Sequence, residues 1–270
     1  MNALKVLIPV DFSPASQKAW QIVDLVKMNQ PVQLHLLHVI PANGNLEDQE
    51  DSGEEIKAQV ATAREKLEEL NAEVNFHYVV KVGPLTDTIT QYAGEIEAEL
   101  IIMGTKGSDG YMEFLSGSEA QHVARYSKVP VITVHQDSMP VKLENILLLS
   151  DFGIGGFHPP LELVKTFTDG RTRIHLLHIL KQDELGKMDE LERHMYQFAE
   201  DNQLENFNVH LFQDDKVDEG VNQFNENNDM DLVCIGTHAR KGLSHLLFGS
   251  IAERLINHCS RPVFTYHLEN

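Results

Sequence analysis

An internal duplication governs what this 270-residue chain can fold into. Leu4 to Phe12 (LKVLIPVDF) resembles Glu144 to Phe152 (ENILLLSDF), 140 residues further on, and the same spacing carries Leu34 to Val39 onto Ile174 to Ile179. Later in each copy the spacing is 132: it maps Gly104-Thr105 onto Gly236-Thr237, Gly117-Ser118 onto Gly249-Ser250, and Pro130-Val131 onto Pro262-Val263. Two constant spacings, separated by one eight-residue deletion between His178 and Gly236, mean two copies of one unit. The copies are expected to be two domains, 1–139 and 140–270, joined by Gln136 to Val141 with Pro140 at the boundary.

Within a copy the rhythm is strand, helix, strand, helix. Leu4 to Val10 is a continuous apolar run, as in a strand covered on both faces. Ser13-Pro14 then reads as an N-cap followed by proline in the first turn, and Ala19, Ile22, Val23 and Val26 make a helical apolar stripe. Strands are expected at Val32 to Ile40, Val74 to Val82, Leu100 to Met103 and Val131 to His135, with helices at Ile56 to Leu70, Pro84 to Ile96 and 118–127. The acidic stretch Pro41 to Glu55 reads as a solvated loop. The second copy repeats the pattern, with strands near 145–149, 172–179, 207–213, 232–235 and 263–266. Alternating strands and helices with short connections imply right-handed crossovers and parallel sheets: an α/β chain of two tandem doubly wound, five-stranded units.

Ligands of such sheets bind at the carboxyl ends of the strands, where the strand order reverses. Asp11, Val39 and Gly104 all lie at expected strand carboxyl ends. The run Leu100 to Met103 ends in Gly104-Thr-Lys-Gly107, and after nine intervening residues Gly117-Ser118 opens a helix. Glycine lets backbone N–H groups approach a ligand, serine caps a helix, and a helix N-terminus favours anions. The pattern reads as a phosphate cradle, and its echo runs from Gly236 to Gly249-Ser250. The plainer reading, tight strand-to-helix turns, stands beside it.

The formal net charge of −19 argues against a nucleic-acid backbone or an anionic membrane as partner, and any nucleotide site needs local compensation of that charge. The Leu4 to Val10 run is too short for a secretory signal, and no apolar stretch approaches the length of a membrane span. Cys234 and Cys259 lack a C-x-x-C spacing and read as reduced, buried thiols, which points to the cytoplasm.

Val-Asp-Phe-Ser after the first strand, Leu-Leu-His-Val in the second, and Gly-x-x-Gly, nine residues, Gly-Ser before the last helix together resemble the universal stress protein family, in two tandem copies. The resemblance implies an adenine nucleotide alpha-hydrolase-like sheet of order 3-2-1-4-5, with ATP or AMP held in some members and none in others. Carried over by position, it implies that Pro9, Val10 and Asp11 line the adenine and ribose side and that Val39 meets the base. Met103, Gly104, Lys106 and Gly107 would wrap ribose and phosphates, and Gly117, Ser118 and Glu119 would meet the phosphates, with any Mg2+ held mainly by the phosphates themselves. In the second copy the matching positions are Ser150, Asp151, Ile179, Gly236, His238, Ala239, Gly249, Ser250 and Ile251. In that family the last strand forms the dimer contact, so the two halves are expected to pair as an internal pseudo-dimer, with a homodimer also open.

Chemically the cradles differ. The first keeps every glycine but carries Asp109, Glu113 and Glu119, the last able to neutralise its own helix end. The second has Ala239 for a glycine, yet gains Arg240 and Lys241 and a neutral Ile251-Ala252. The first ranks ahead, because a blocked backbone excludes a ligand more surely than a mobile carboxylate does. His35 and His38 are three apart on a strand and face opposite sides, as do His175 and His178, so neither pair can share a metal. Asp11 and Asp151 have a rival reading as caps for the helices that follow. No nucleophile elbow, Walker loop or Gly-x-Gly-x-x-Gly is present, and no metal-ligand cluster, so no catalytic residue is expected.

Three readings follow. The chain is expected to be a cytoplasmic adenine-nucleotide-binding stress-response protein that regulates protein partners. A nucleotide-free scaffold with vestigial cradles is the alternative, and a slow ATPase or autophosphorylating protein the weaker one.

Overall fold

The computed structural model describes residues 3–42, 50–73, 75–105, 117–138, 142–152, 161–165, 168, 170–238 and 245–268. In the first half, β1 (Leu4–Pro9), α1 (Pro14–Asn29), β2 (Val32–Pro41), α2 (Glu50–Glu73), β3 (His77–Gly83), α3 (Leu85–Glu95), β4 (Leu100–Thr105), α4 (Gly117–Tyr126) and β5 (Val131–His135) follow one another. The second half repeats them as β6 (Asn145–Leu149), α5 (Leu161–Lys165), β7 (Arg173–Leu180), a 3-10 segment Gln182–Lys187, α6 (Met188–Asp201), β8 (Phe207–Gln213), α7 (Val217–Asn228), β9 (Leu232–His238), α8 (His245–His258) and β10 (Val263–Leu268).

All ten strands form one sheet, β3-β2-β1-β4-β5-β10-β9-β6-β7-β8. Each half keeps the order 3-2-1-4-5 with parallel pairing, and the one antiparallel junction, β5 against β10, joins the halves. Strand alternation sends Val6, Ile8, Leu36, Ile102, Ile146 and Leu148 to one face, where α1, α2, α5 and α6 cover them. Leu7, Leu37, Met103, Leu147 and Ile235 go to the other, under α3, α4, α7 and α8. Each of the two apolar layers runs through both halves. Both cysteines are free and buried, and burial pushes both thiols up in pKa, away from the reactive thiolate.

Ser13 caps α1 as its sequence signals, its hydroxyl accepting from Ser16 N at 3.2 Å with Pro14 in the first turn. Four expectations are corrected. Strand β3 begins at His77 rather than Val74. Helix α2 starts at Glu50, six residues before the expected Ile56, because acidic residues that read as a loop also suit the first turns of a helix. Residues 43–49, the rest of that expected loop, lie outside the described residues. Gly104 does not end its strand but lies inside β4, and Gly249-Ser250 does not open α8, which is already under way at His245.

Candidate functional site

At the carboxyl ends of β2, β1 and β4, which are adjacent in the sheet, the fold brings together Val39, the Pro9-Val10-Asp11 segment, Met103 and Gly104. Val39 and Met103 are buried on the α3/α4 face. Val10 is pinned by two bonds: its N–H donates to Leu37 O at 2.9 Å, and its carbonyl accepts from His38 Nδ1 at 2.8 Å. A carbonyl only accepts, so Nδ1 holds the proton and Nε2 keeps the lone pair in the neutral ring. Burial lowers the His38 pKa, opposed by the Val10 carbonyl and the Asp11 charge, with Lys66 lowering it further. His178 repeats the bond in the second half, Nδ1 to Ser150 O at 3.4 Å. The recurring histidine of the second strand is thus a tie to the first.

Asp11 works partly as the cap-like residue weighed above: its Oδ1 accepts from Ser13 N at 3.0 Å just before α1. Its Oδ2 is buried without a partner among the described residues. The next residue, Phe12, has φ 62, and its counterpart Phe152 has φ 50. A left-handed conformation is costly for a bulky side chain, so its recurrence after the first strand of each copy marks a held turn. That turn lays Phe12 on His38, ring centroids 5.0 Å apart. In the second half Ser150 Oγ accepts from Phe152 N at 3.2 Å, a side-chain tie within the corresponding turn.

Gly104 owes its residue type to packing. A Cβ there would overlap the Ala15 carbonyl and stand 2.6 Å from Ser16 N, because the start of α1 crosses β4 at this point. Lys106 and Gly107 lie outside the described residues, as does Ala239. Gly117 begins α4, with Ser118 exposed and Glu119 in the first turn. Glu119 is not free to fold back on the helix end: its Oε2 accepts from Thr86 Oγ1 of α3 at 2.9 Å. In the second half Ile179 and Ile251 are buried, Gly236 and His238 lie within β9, and Asp151 follows β6. With Gly249, Ser250 and Ile251 inside α8, their amides there are committed to the helix rather than presented at its start.

Beside this strand-end site, on the α1/α2 face, lies an open cleft of about 430 Å³ between Asp11, Phe12 and His38 on one wall and α2, with Thr62 and Lys66, on the other. Its signal in the sequence was slight: only the repeated Asp-Phe marked the turn that shapes it. Among the described residues no group of three or more His, Cys, Asp or Glu is placed to hold a metal ion, and no helix is long and apolar enough to cross a membrane.

This architecture defines a tandem doubly wound α/β protein. The universal stress protein family model matches residues 3–135 and 163–267, and the chain belongs to that family. A universal stress protein of Synechocystis is 32% identical over 132 residues, spanning 48% of this chain and 83% of that protein. Another, from Methanocaldococcus jannaschii, is 27% identical over 153 residues, spanning 48% of this chain and 93% of its own length. Each therefore corresponds to one half. Over the whole length the fold is that of a universal stress protein from Archaeoglobus fulgidus, with TM-score 0.73, 18% identity and 99% of both chains covered.

Proposed function

We propose that this chain binds an adenine nucleotide, ATP or AMP, in its first half and acts as a nucleotide-dependent regulator of protein partners in the cytoplasm. The observation that carries the reading is the meeting of Asp11, Val39, Met103 and Gly104 at adjacent strand ends. The α4 N-terminus at Gly117 is the anion-favouring element of the reading. Thr86 supports it by holding the Glu119 carboxylate in a side-chain bond. The base would lie against Val39 and Met103 with Asp11 beside the ribose, and Lys106, Gly107 and Ser118 would serve the phosphates. Mg2+, where present, would be held mainly by those phosphates. The second half is the weaker site, since Gly249-Ser250 lies within α8. The halves, divided at 139/140, form an internal pseudo-dimer through β5 and β10, and a homodimer can build on it.

One observation favours a second reading. Gly104 is required by the crossing of α1 whether or not a ligand is present, so this glycine suits a nucleotide-free scaffold equally. Denaturing freshly purified protein and identifying released nucleotide by chromatography and mass spectrometry separates the two. About one adenine nucleotide per chain supports the first-half site. None released, and no calorimetric response to Mg-ATP, leaves the scaffold.

A further inference from the structure

We propose that the α1/α2-face cleft of the first half is a second ligand site, for a small zwitterion with an apolar body: a free α-amino acid bearing an apolar side chain. The cleft lies on the opposite side of the sheet from Val39 and Met103, and of the residues assigned to the nucleotide it shares Asp11 alone.

Four groups define its chemistry. Asp11 Oδ2 is a buried carboxylate oxygen with no partner among the described residues, while Oδ1 is committed to Ser13 N. A buried acceptor left bare is costly, and a ligand donor repays that cost. His38 presents a lone pair at Nε2, because Nδ1 donates to Val10 O. A carboxylate oxygen and an imidazole lone pair on one wall accept from one ammonium, which carries three N–H donors. Across from them, Lys66 makes no ion pair among the described residues; its Nζ stands 5.0 Å from the Phe12 ring centroid. That ammonium suits a ligand carboxylate. Phe12, Ile40 and Pro41 supply an apolar wall for the body between the charges. Glu55 also lines the cleft, so a ligand with an anionic group alone would meet two carboxylates and one cation, which selects against it.

In the second copy His178 stands where His38 does, and the 3-10 segment brings Glu184 Oε2 to 3.7 Å from its Nε2, beyond hydrogen-bond reach; that oxygen accepts from Lys181 N at 3.0 Å. His178 Nε2 has no hydrogen-bond partner among the described residues, so a carboxylate of the chain itself stands near this corner without satisfying it.

The test is calorimetry of the full chain, freed of bound nucleotide because both ligands call on Asp11, with L-phenylalanine, L-leucine and L-tryptophan, then with phenethylamine, which lacks the carboxylate, and 3-phenylpropionate, which lacks the ammonium. Asp11 is left unchanged because the nucleotide reading uses it; Lys66→Met and Thr62→Trp alter only the exposed face of α2. We expect one amino acid per chain, each truncated analogue weaker by about tenfold or more, about tenfold loss in Lys66→Met, and no binding in Thr62→Trp. Mg-ATP titrated into the same two variants should give the wild-type response, so failure of this site and failure of the nucleotide site are read separately. No binding of any of the three amino acids at millimolar concentration overturns the proposal. So does binding indifferent to both variants, which places the ligand elsewhere, or phenethylamine binding as well as phenylalanine.

Discussion

Thr133 and Thr265, which hold the same place in the two copies, make one hydrogen bond in opposite directions across the central junction. Thr133 Oγ1 donates to Val263 O at 3.3 Å, and Thr265 Oγ1 donates to Val131 O at 3.2 Å. The register around them, Val263 opposite Thr133 and Thr265 opposite Val131, is self-complementary, as in a two-fold contact between identical subunits. Arg125 of α4 and Glu253 of α8 add an ion pair at 3.1 Å beside it. The edge strands β5 and β10 are consumed by this pairing, which removes an exposed apolar edge from each half.

Replacing both threonines by valine keeps the β-branched shape and deletes only the hydroxyls. Each bond is worth about 1 kcal/mol net, so the double variant should lose about 2 kcal/mol in urea denaturation and each single variant about half of that. A double variant as stable as wild type would mean that the strand ladder alone holds the junction.

Gly104→Ala tests whether this glycine serves packing. The added Cβ meets backbone atoms of Ala15 and Ser16, which cannot rotate aside as a flexible side chain would. Overpacking against backbone should cost about 3 kcal/mol, visible as a lower urea midpoint with no nucleotide present. An unchanged midpoint would return Gly104 to a purely ligand-facing role.

Asp231 ties the junction between the halves to the sheet. Its carboxylate accepts from Glu144 N at 2.8 Å, Asn145 N at 2.9 Å and Lys142 N at 3.4 Å, just where β6 begins. Glu99, its counterpart in the first copy, accepts from Lys5 N at 3.0 Å, so an acid before the fourth strand of each unit anchors the first. Asp231→Ala strips those amides of their acceptor and should cost about 2–3 kcal/mol, whereas Asp231→Asn retains one acceptor and should cost less. Equal losses in the two variants would show that the backbone bonds do not depend on the carboxylate.

The duplication, the alternation of strands and helices and the Ser13-Pro14 start of α1 were legible because they are local or repeat at a fixed spacing. Long-range contacts were not. Nothing near Glu119 signals that Thr86 binds it, and nothing near Gly104 signals that α1 crosses there. Where α8 begins escaped because Gly-Ser is a good helix opener in isolation, yet the helix is already under way at His245. The left-handed Phe12 and Phe152 had a weak signal in the repeated Asp-Phe, but a residue type that disfavours positive φ gives no hint of adopting it.

A last prediction concerns acid. His175 and His210 stack with ring centroids 5.2 Å apart, and His175 Nδ1 lies 2.9 Å from His210 Nε2. His175 Nε2 lies 3.2 Å from Asn145 Oδ1, which only accepts, so Nε2 donates there and Nδ1 accepts the proton of His210. The chain of bonds is complete when both rings are neutral. Burial first, then the neighbouring His210 and Arg173, lowers the His175 pKa to about 4, and burial lowers that of His210. A depressed folded-state pKa means that, below the ordinary value of 6.5, the unfolded chain binds protons the folded chain refuses. This contribution is therefore complete above about pH 6.5 and is lost as pH falls towards 4. Urea denaturation at pH 7, 6 and 5 should show stability falling with a slope of about one proton taken up per imidazole on unfolding. In His175→Gln the slope over this range should shrink, since carboxylates contribute mainly at lower pH. A variant with the wild-type slope would place the acid-sensitive groups elsewhere among the fourteen histidines.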